Sequence, residues 1–156
     1  MTNTITAAEY RKSTRNSRNR KAGAAAETLT RYELQRLGVC RVRKLEVGWG
    51  IVRNRAGKIA NVYPLERIDG DFSGILPDGT AVLVETKKRS DKLVYSALEN
   101  HQVQALNDHA EHNGLSLLVW VSDDDVYVMR WPIDGFESGT SLDAEQAQAA
   151  AWEGAA

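Results

Sequence analysis

Two apolar runs organise the second half of the chain. Ala81-Val-Leu-Val84 and Leu115–Val121 are continuous, short and bounded by turn residues, which predicts strands buried on both faces. Between them, Ser96–His112 carries Leu98, Val103, Leu106 and Ala110 as a stripe at helical spacing, and Gly114 closes it; the spacing predicts a helix. Asp123–Asp125 reads as a turn, after which Val126–Trp131 pairs back as a strand ended by Pro132. Earlier, Lys21–Leu37 is rich in Ala, Leu, Arg and Glu, lacks Pro and is followed by Gly38, predicting a helix with a glycine stop. Val39–Val47 reads as a strand. Residues 48–63 read as a projecting hairpin around Asn54-Arg-Ala-Gly57. Asp71–Gly74 and Ala81–Thr86 flank the turn triplet Pro77-Asp-Gly79, and residues 142–152 predict a last short helix. Helix, strands, helix, strands, helix is the order of a mixed α/β sheet with helices on its faces.

Residues 1–20 show no apolar periodicity. They carry Arg11, Lys12, Arg15, Arg18 and Arg20 among Ser, Thr and Asn and read as a flexible basic arm, with a helix open to it on binding. The remainder, 21–156, reads as one domain. A single cysteine excludes an internal disulfide framework and a four-cysteine zinc site. With no membrane-length apolar run and no secretory-type start, cytoplasmic residence is the expectation.

The formal net charge of −1 conceals a division. Residues 1–60 hold 14 Lys+Arg and 4 Asp+Glu, whereas residues 61–156 hold 6 and 17. One end of the molecule is therefore expected to face a polyanion; halves that pair with each other, or across a dimer interface, are the alternative. Arg15, Arg18, Arg20 and Lys21 in the arm, and Arg53, Arg55 and Lys58 at the hairpin tip, are the candidate nucleic-acid contacts.

Asp71 lies 14 residues before Glu85, and Glu85-Thr-Lys87 closes the apolar run. The turn at Pro77–Gly79 folds the two strands together, so both carboxylates reach the same end of the sheet. Paired carboxylates need a cation or an extra proton, and oxygen ligands completed by water suit Mg2+ or Mn2+. Glu85 and Lys87, two apart on a strand, point to one face, which sets an ammonium beside the carboxylate. Thr86 offers its backbone carbonyl as a further metal ligand. This combination suits metal-assisted phosphodiester hydrolysis. D-x13-E-x-K alone is common around surface hairpins. Here the acid ends a buried strand, Lys88 and Arg89 extend the basic ground toward DNA, and a helix and second buried strand follow.

On these residues the chain resembles the RecU-type Holliday junction resolvases of bacteria and their phages, in the PD-(D/E)XK nuclease superfamily. Asp71-Phe-Ser-Gly74 resembles that family's D-x-x-G strand, and Val84-Glu-Thr-Lys87 its E-A-K strand, with Thr86 where Ala is usual. His101-Gln102 resembles its H-Q pair, Gly23–Glu27 its G-x-x-x-E helix, and Gly114 with Leu115–Val121 its glycine and apolar strand. The hairpin stands where the family carries its stalk. The resemblance covers about residues 22–131. It implies a restriction-endonuclease-like mixed sheet flanked by helices, with Mg2+ on Asp71 and Glu85 and Lys87 assisting the nucleophile. Gln102 would lie beside the site, and Glu27 would serve as an outer acid or extra ligand. It also implies a homodimer that nicks four-way DNA junctions symmetrically. A restriction-like or repair endonuclease on duplex DNA is the alternative enzyme. A non-catalytic DNA-binding module of the same fold is the alternative outside enzymes.

Other features carry less. His109 and His112 share a helix face but lack a third ligand nearby. Asp123–Asp125 lacks calcium-loop spacing. Trp49, between two glycines, suits either base stacking or packing within the hairpin or a dimer. Trp120 and Trp131 read as core.

Overall fold

A computed structural model describes residues 7–64 and 68–156, with side chains from residue 15 onward. Helix α1 spans Ala7–Arg36 and is followed by β1 (Cys40–Lys44), β2 (Trp49–Arg53) and β3 (Ile59–Pro64). Strands β4 (Phe72–Ile75), β5 (Ala81–Lys88) and β6 (Leu93–Val94) lead to α2 (Asn100–Glu111). The chain ends with β7 (Leu115–Val121), β8 (Val126–Arg130), β9 (Ser141–Leu142) and α3 (Ala144–Ala149).

The central sheet has the order β1-β4-β5-β7-β8. Its β5–β7 pair is parallel, and its other pairs are antiparallel. Helix α2 is the crossover that the parallel pair requires. The two apolar runs of the sequence are the middle strands β5 and β7, and all seven residues of β7 are buried. Strand alternation divides the core in two. Val82, Val84, Leu117 and Val119 pack with Ala26 and Leu34 of α1. Leu83, Leu118 and Trp120 pack on the other face with Leu106 of α2 and Ala147 of α3. The expected mixed sheet flanked by helices is thus the observed architecture. Trp120 and Trp131 are core residues, 1% and 5% exposed.

Three features differ from what the sequence predicts or leaves unread. Residues 7–20, read as an arm, continue α1 as helix without a break; residues 1–6, and the side chains of Arg11 and Lys12, lie outside the described residues. Nothing between Ala7 and Ala22 breaks a helix, because the stretch holds neither Gly nor Pro. It lacks an apolar stripe because it has no sheet to cover, and residues 15–22 are all exposed. Helix α2 begins at Asn100 rather than Ser96. A 3-10 turn at Tyr95–Ala97 comes first, and Glu99 then caps α2 through a box with Gln102. Strands β6 and β9 pair as a two-residue ribbon, too short to leave a periodic signal.

Strands β2 and β3 form a separate two-stranded sheet. At its tip Asn54 Oδ1 accepts the N–H groups of Ala56 and Lys58, both at 3.0 Å, and Arg53 Nη1 donates to the Gly57 carbonyl at 2.9 Å. Gly57 has φ +77°, which glycine adopts without strain. Residues 51–64 are exposed throughout. Among the described residues no helix is long and apolar enough to cross a membrane.

Candidate active site

Asp71 stands immediately before β4, and its backbone is held from both sides. Its N–H donates to the Val84 carbonyl at 2.8 Å, and its carbonyl accepts the Leu45 N–H at 2.8 Å. Its side chain completes the clamp: Oδ2 accepts the Thr86 N–H at 2.8 Å. A carboxylate thereby takes the place of a sheet carbonyl at the end of the β4–β5 ladder, which fixes its direction. Gly70 makes this possible. It is buried with φ +135°, and a Cβ there would meet Leu83 Cδ1 at 2.9 Å and the Val84 carbonyl at 3.0 Å.

Leu83, Glu85 and Lys87 share the α2 face of β5. Glu85 is 2% exposed and is met there by Gln102. Gln102 Nε2 donates to Glu85 Oε1 at 2.6 Å. Gln102 Oε1 accepts from Lys87 Nζ at 3.0 Å and from the Glu99 N–H at 2.9 Å. Lys87 Nζ closes the ring on Glu85 Oε1 at 2.8 Å. Only this amide orientation gives all three neighbours a partner. One side chain therefore caps α2 and aligns both the acid and the lysine.

Thr86 points to the opposite face, where its hydroxyl lies 3.4 Å from that of the buried Thr30 on α1. Glu27, one turn earlier, pairs with Lys44 Nζ at 2.7 Å. Glu27 is close enough to Asp71 to oppose its ionisation, and Lys44 is close enough to favour it.

Both carboxyls are harder to ionise than usual. Burial, and then the Asp71 charge, push Glu85 up to about 7 against the pull of Lys87. Burial also raises Asp71, against the pull of the Thr86 N–H and Lys87. Asp71 and Glu85 line one cavity of about 300 Å³. Among the described residues no group of three or more His, Cys, Asp or Glu side chains is placed to hold a metal. A buried and a half-buried carboxylate, sharing one lysine and opening on a solvent cavity, fit a Mg2+ ion that keeps most of its water.

The remaining candidates lie apart from this ring. Arg15, Arg18, Arg20 and Lys21 are on the exposed part of α1, and Arg53, Arg55 and Lys58 are around the hairpin tip. Lys88 Nζ is engaged by Asp123 Oδ1 at 2.8 Å and by the Ser122 carbonyl at 2.9 Å, while Arg89 is exposed. His109 bonds the Ala81 carbonyl and His112 the Asp108 carbonyl. Sequence reasoning missed Thr30, Lys44 and Glu99. Glu99-x-x-Gln102 ahead of an apolar stripe was the available signal for Glu99, whereas Thr30 and Lys44 leave none.

No protein-family model and no curated protein sequence matches the chain. Among solved structures, it is similar to Hjc of Archaeoglobus fulgidus, a Holliday junction resolvase from an archaeal hyperthermophile. The TM-score is 0.51 at 13% identity, over 81% of this chain and 92% of that one. The mixed sheet that carries Asp71, Glu85 and Lys87 is therefore of the restriction-endonuclease-like kind found in a junction resolvase.

Proposed function

We propose that the chain is a Mg2+-dependent endodeoxyribonuclease that resolves four-way DNA junctions by paired symmetric nicks, as a homodimer of RecU-like type. Its setting would be recombination, repair or phage DNA processing in a bacterial cytoplasm or an infected host. The observation that carries this reading is the convergence of Asp71 and Glu85 on one cavity, with the Lys87 ammonium held on Glu85. The resolvase-like fold supports the choice of substrate.

Asp71 and Glu85 would hold the metal, with the Thr86 carbonyl as a further donor; Mn2+ has the ligand preferences to substitute. The bound ion supplies Lewis acidity and positive charge against the scissile phosphate. Lys87 lies on the same face as Glu85 and steadies the attacking oxygen and the charge growing on phosphorus. Gln102 keeps Lys87 aligned through its side-chain oxygen. Glu27 acts from outside the pair. Its partner Lys44 moderates the Glu27 charge near Asp71.

Arg15, Arg18, Arg20, Lys21, Arg53, Arg55, Lys58, Lys88 and Arg89 would meet phosphates. The exposed half of α1 supports this, because it overhangs the sheet. Thr30 meets Thr86 near the end of β5, so the helix residues before it run on past the end that carries the site. The deciding experiment incubates a labelled synthetic four-way junction and matched linear duplex with Mg2+ or with chelator. Symmetric nicks only in the junction with Mg2+ are expected. Failure to cut any DNA would leave a binding module.

The hairpin makes a separate prediction. Replacing Arg53, Arg55 and Lys58 together with Gln or Ala should weaken junction binding by about tenfold or more at moderate salt, because several phosphate contacts are lost. Linear duplex should be affected less. Equal losses in titrations of the two DNAs would remove the hairpin from junction recognition.

A further inference from the structure

The cavity that holds Asp71 and Glu85 has a second wall. Val47, Trp49, Pro64 and Ile68 form it, facing Asp71, Glu85, His101 and Gln102. Trp49 and Pro64 are paired directly across the base of the β2–β3 hairpin. Trp49 is 61% exposed, a large indole surface left in water beside the reaction centre. The next residue pair shows which hairpin face it takes. Gly50 faces Tyr63, and a Cβ at Gly50 would run into the Tyr63 ring. The tyrosine therefore lies over the glycine, on the hairpin face opposite Trp49.

Resting on the nuclease reading, we propose that Trp49 and Pro64 form a subsite for one unstacked nucleobase, next to the phosphate that is cut. The occupant follows from the chemistry of the walls. Asp71, Glu85, His101 and Gln102 on one side face Val47, Trp49, Pro64 and Ile68 on the other, a lining in which the two carboxylates repel a second phosphate and the apolar wall accepts a flat, uncharged ring. An aromatic side chain accepts any base, because every base offers a π face. Asp71 and Glu85 share the cavity, so a base on Trp49 belongs to a nucleotide flanking the bond at the metal. Bases at a branch point unstack at lower cost than those in continuous duplex. Trp49 thus makes cutting depend on local unstacking, and it favours branched over linear DNA with no base-specific hydrogen bond. It is a positioning and specificity residue that acts on substrate from the hairpin base, separately from the charged tip.

The test uses the full chain and a junction in which 2-aminopurine is walked one nucleotide at a time along one strand, in chelator so that the strand stays whole. Wild type should change the probe fluorescence at one position, beside the mapped nick. Trp49→Ala and Trp49→Leu should lose that change, whereas Trp49→Phe should keep most of it. With Mg2+, single-turnover cutting of the junction should fall by about tenfold or more for Ala and Leu, with near recovery for Phe, in line with the usual worth of base–aromatic stacking. A Leu variant equal to wild type would overturn stacking. A fluorescence change that survives in Trp49→Ala would overturn the site. Loss of dimer on sedimentation, in step with lost cutting, would overturn it by assigning Trp49 to an interface between copies. If wild type binds and shows the local probe signal but cuts nothing, the nuclease reading fails while the base subsite stands.

Discussion

Asp71→Asn and Glu85→Gln will each lower cleavage of a four-way junction by about a thousandfold or more, since the metal contribution they remove is worth several kcal/mol. Binding of the same junction will change little. Both substitutions keep shape and hydrogen bonding while removing charge. An asparagine at 71 still presents an oxygen to the Thr86 N–H, the bond that directs the side chain. A glutamine at 85 still presents one to Gln102 Nε2. What is lost is the pair of negative charges that attracts a divalent ion to the cavity. Single-turnover cutting in Mg2+, beside binding measured in chelator, separates the two effects. A variant that still cuts at near wild-type rate would remove that residue from the site. A variant that loses binding together with cutting would indicate a folding fault.

The sequence made most of this arrangement legible, and where it failed the reasons are physical. Strands β5 and β7 announce themselves because Val82–Val84 and Leu115–Val121 are buried on both faces, so nearly every position in those runs is apolar. Glu85 stands out against that run as an acid where burial demands a partner. The Pro77–Gly79 turn shows that Asp71 must return to it. The N-terminal half of α1 was hidden for the opposite reason. It covers nothing, and a helix without a buried face has no period to read. The capping role of Gln102 was hidden because its partner Glu99 is not a usual N-cap residue. The Glu27–Lys44 pair joins a helix to an edge strand across 17 positions, a contact that no local pattern encodes. The apolar wall around Trp49 collects residues from the β1–β2 connection, the hairpin base and the approach to Asp71, and it exists only once the sheet has formed.

The same burial that makes Glu85 conspicuous sets a pH and metal dependence of stability. Its carboxyl ionises near the ordinary 4.5 when unfolded and at about 7 in the folded chain. Between those values the folded protein holds the proton that the unfolded chain has released, so stability falls as pH rises through the window. Below it the group contributes no difference, and above it the full cost is present, on the order of 3 kcal/mol without metal. Asp71, also raised, acts in the same direction. Asp78 and Asp123 are lowered from the usual range; the stability they add is lost only on acidification below that range, outside the Glu85 window. In chelator, wild type should therefore unfold at lower temperature at pH 8 than at pH 5.5, by several degrees for a chain of this size. Mg2+ should restore most of the difference at pH 8 and little at pH 5.5, because the ion binds the ionised pair. Glu85→Gln should flatten the profile, remove most of the Mg2+ effect and exceed wild type in stability at pH 8 while failing to cut. Thermal melts of both proteins across this range, with and without Mg2+, measure all of this. Parallel profiles for the two would mean that Glu85 is ionised at neutral pH without help, and that the cavity exerts no demand for a cation.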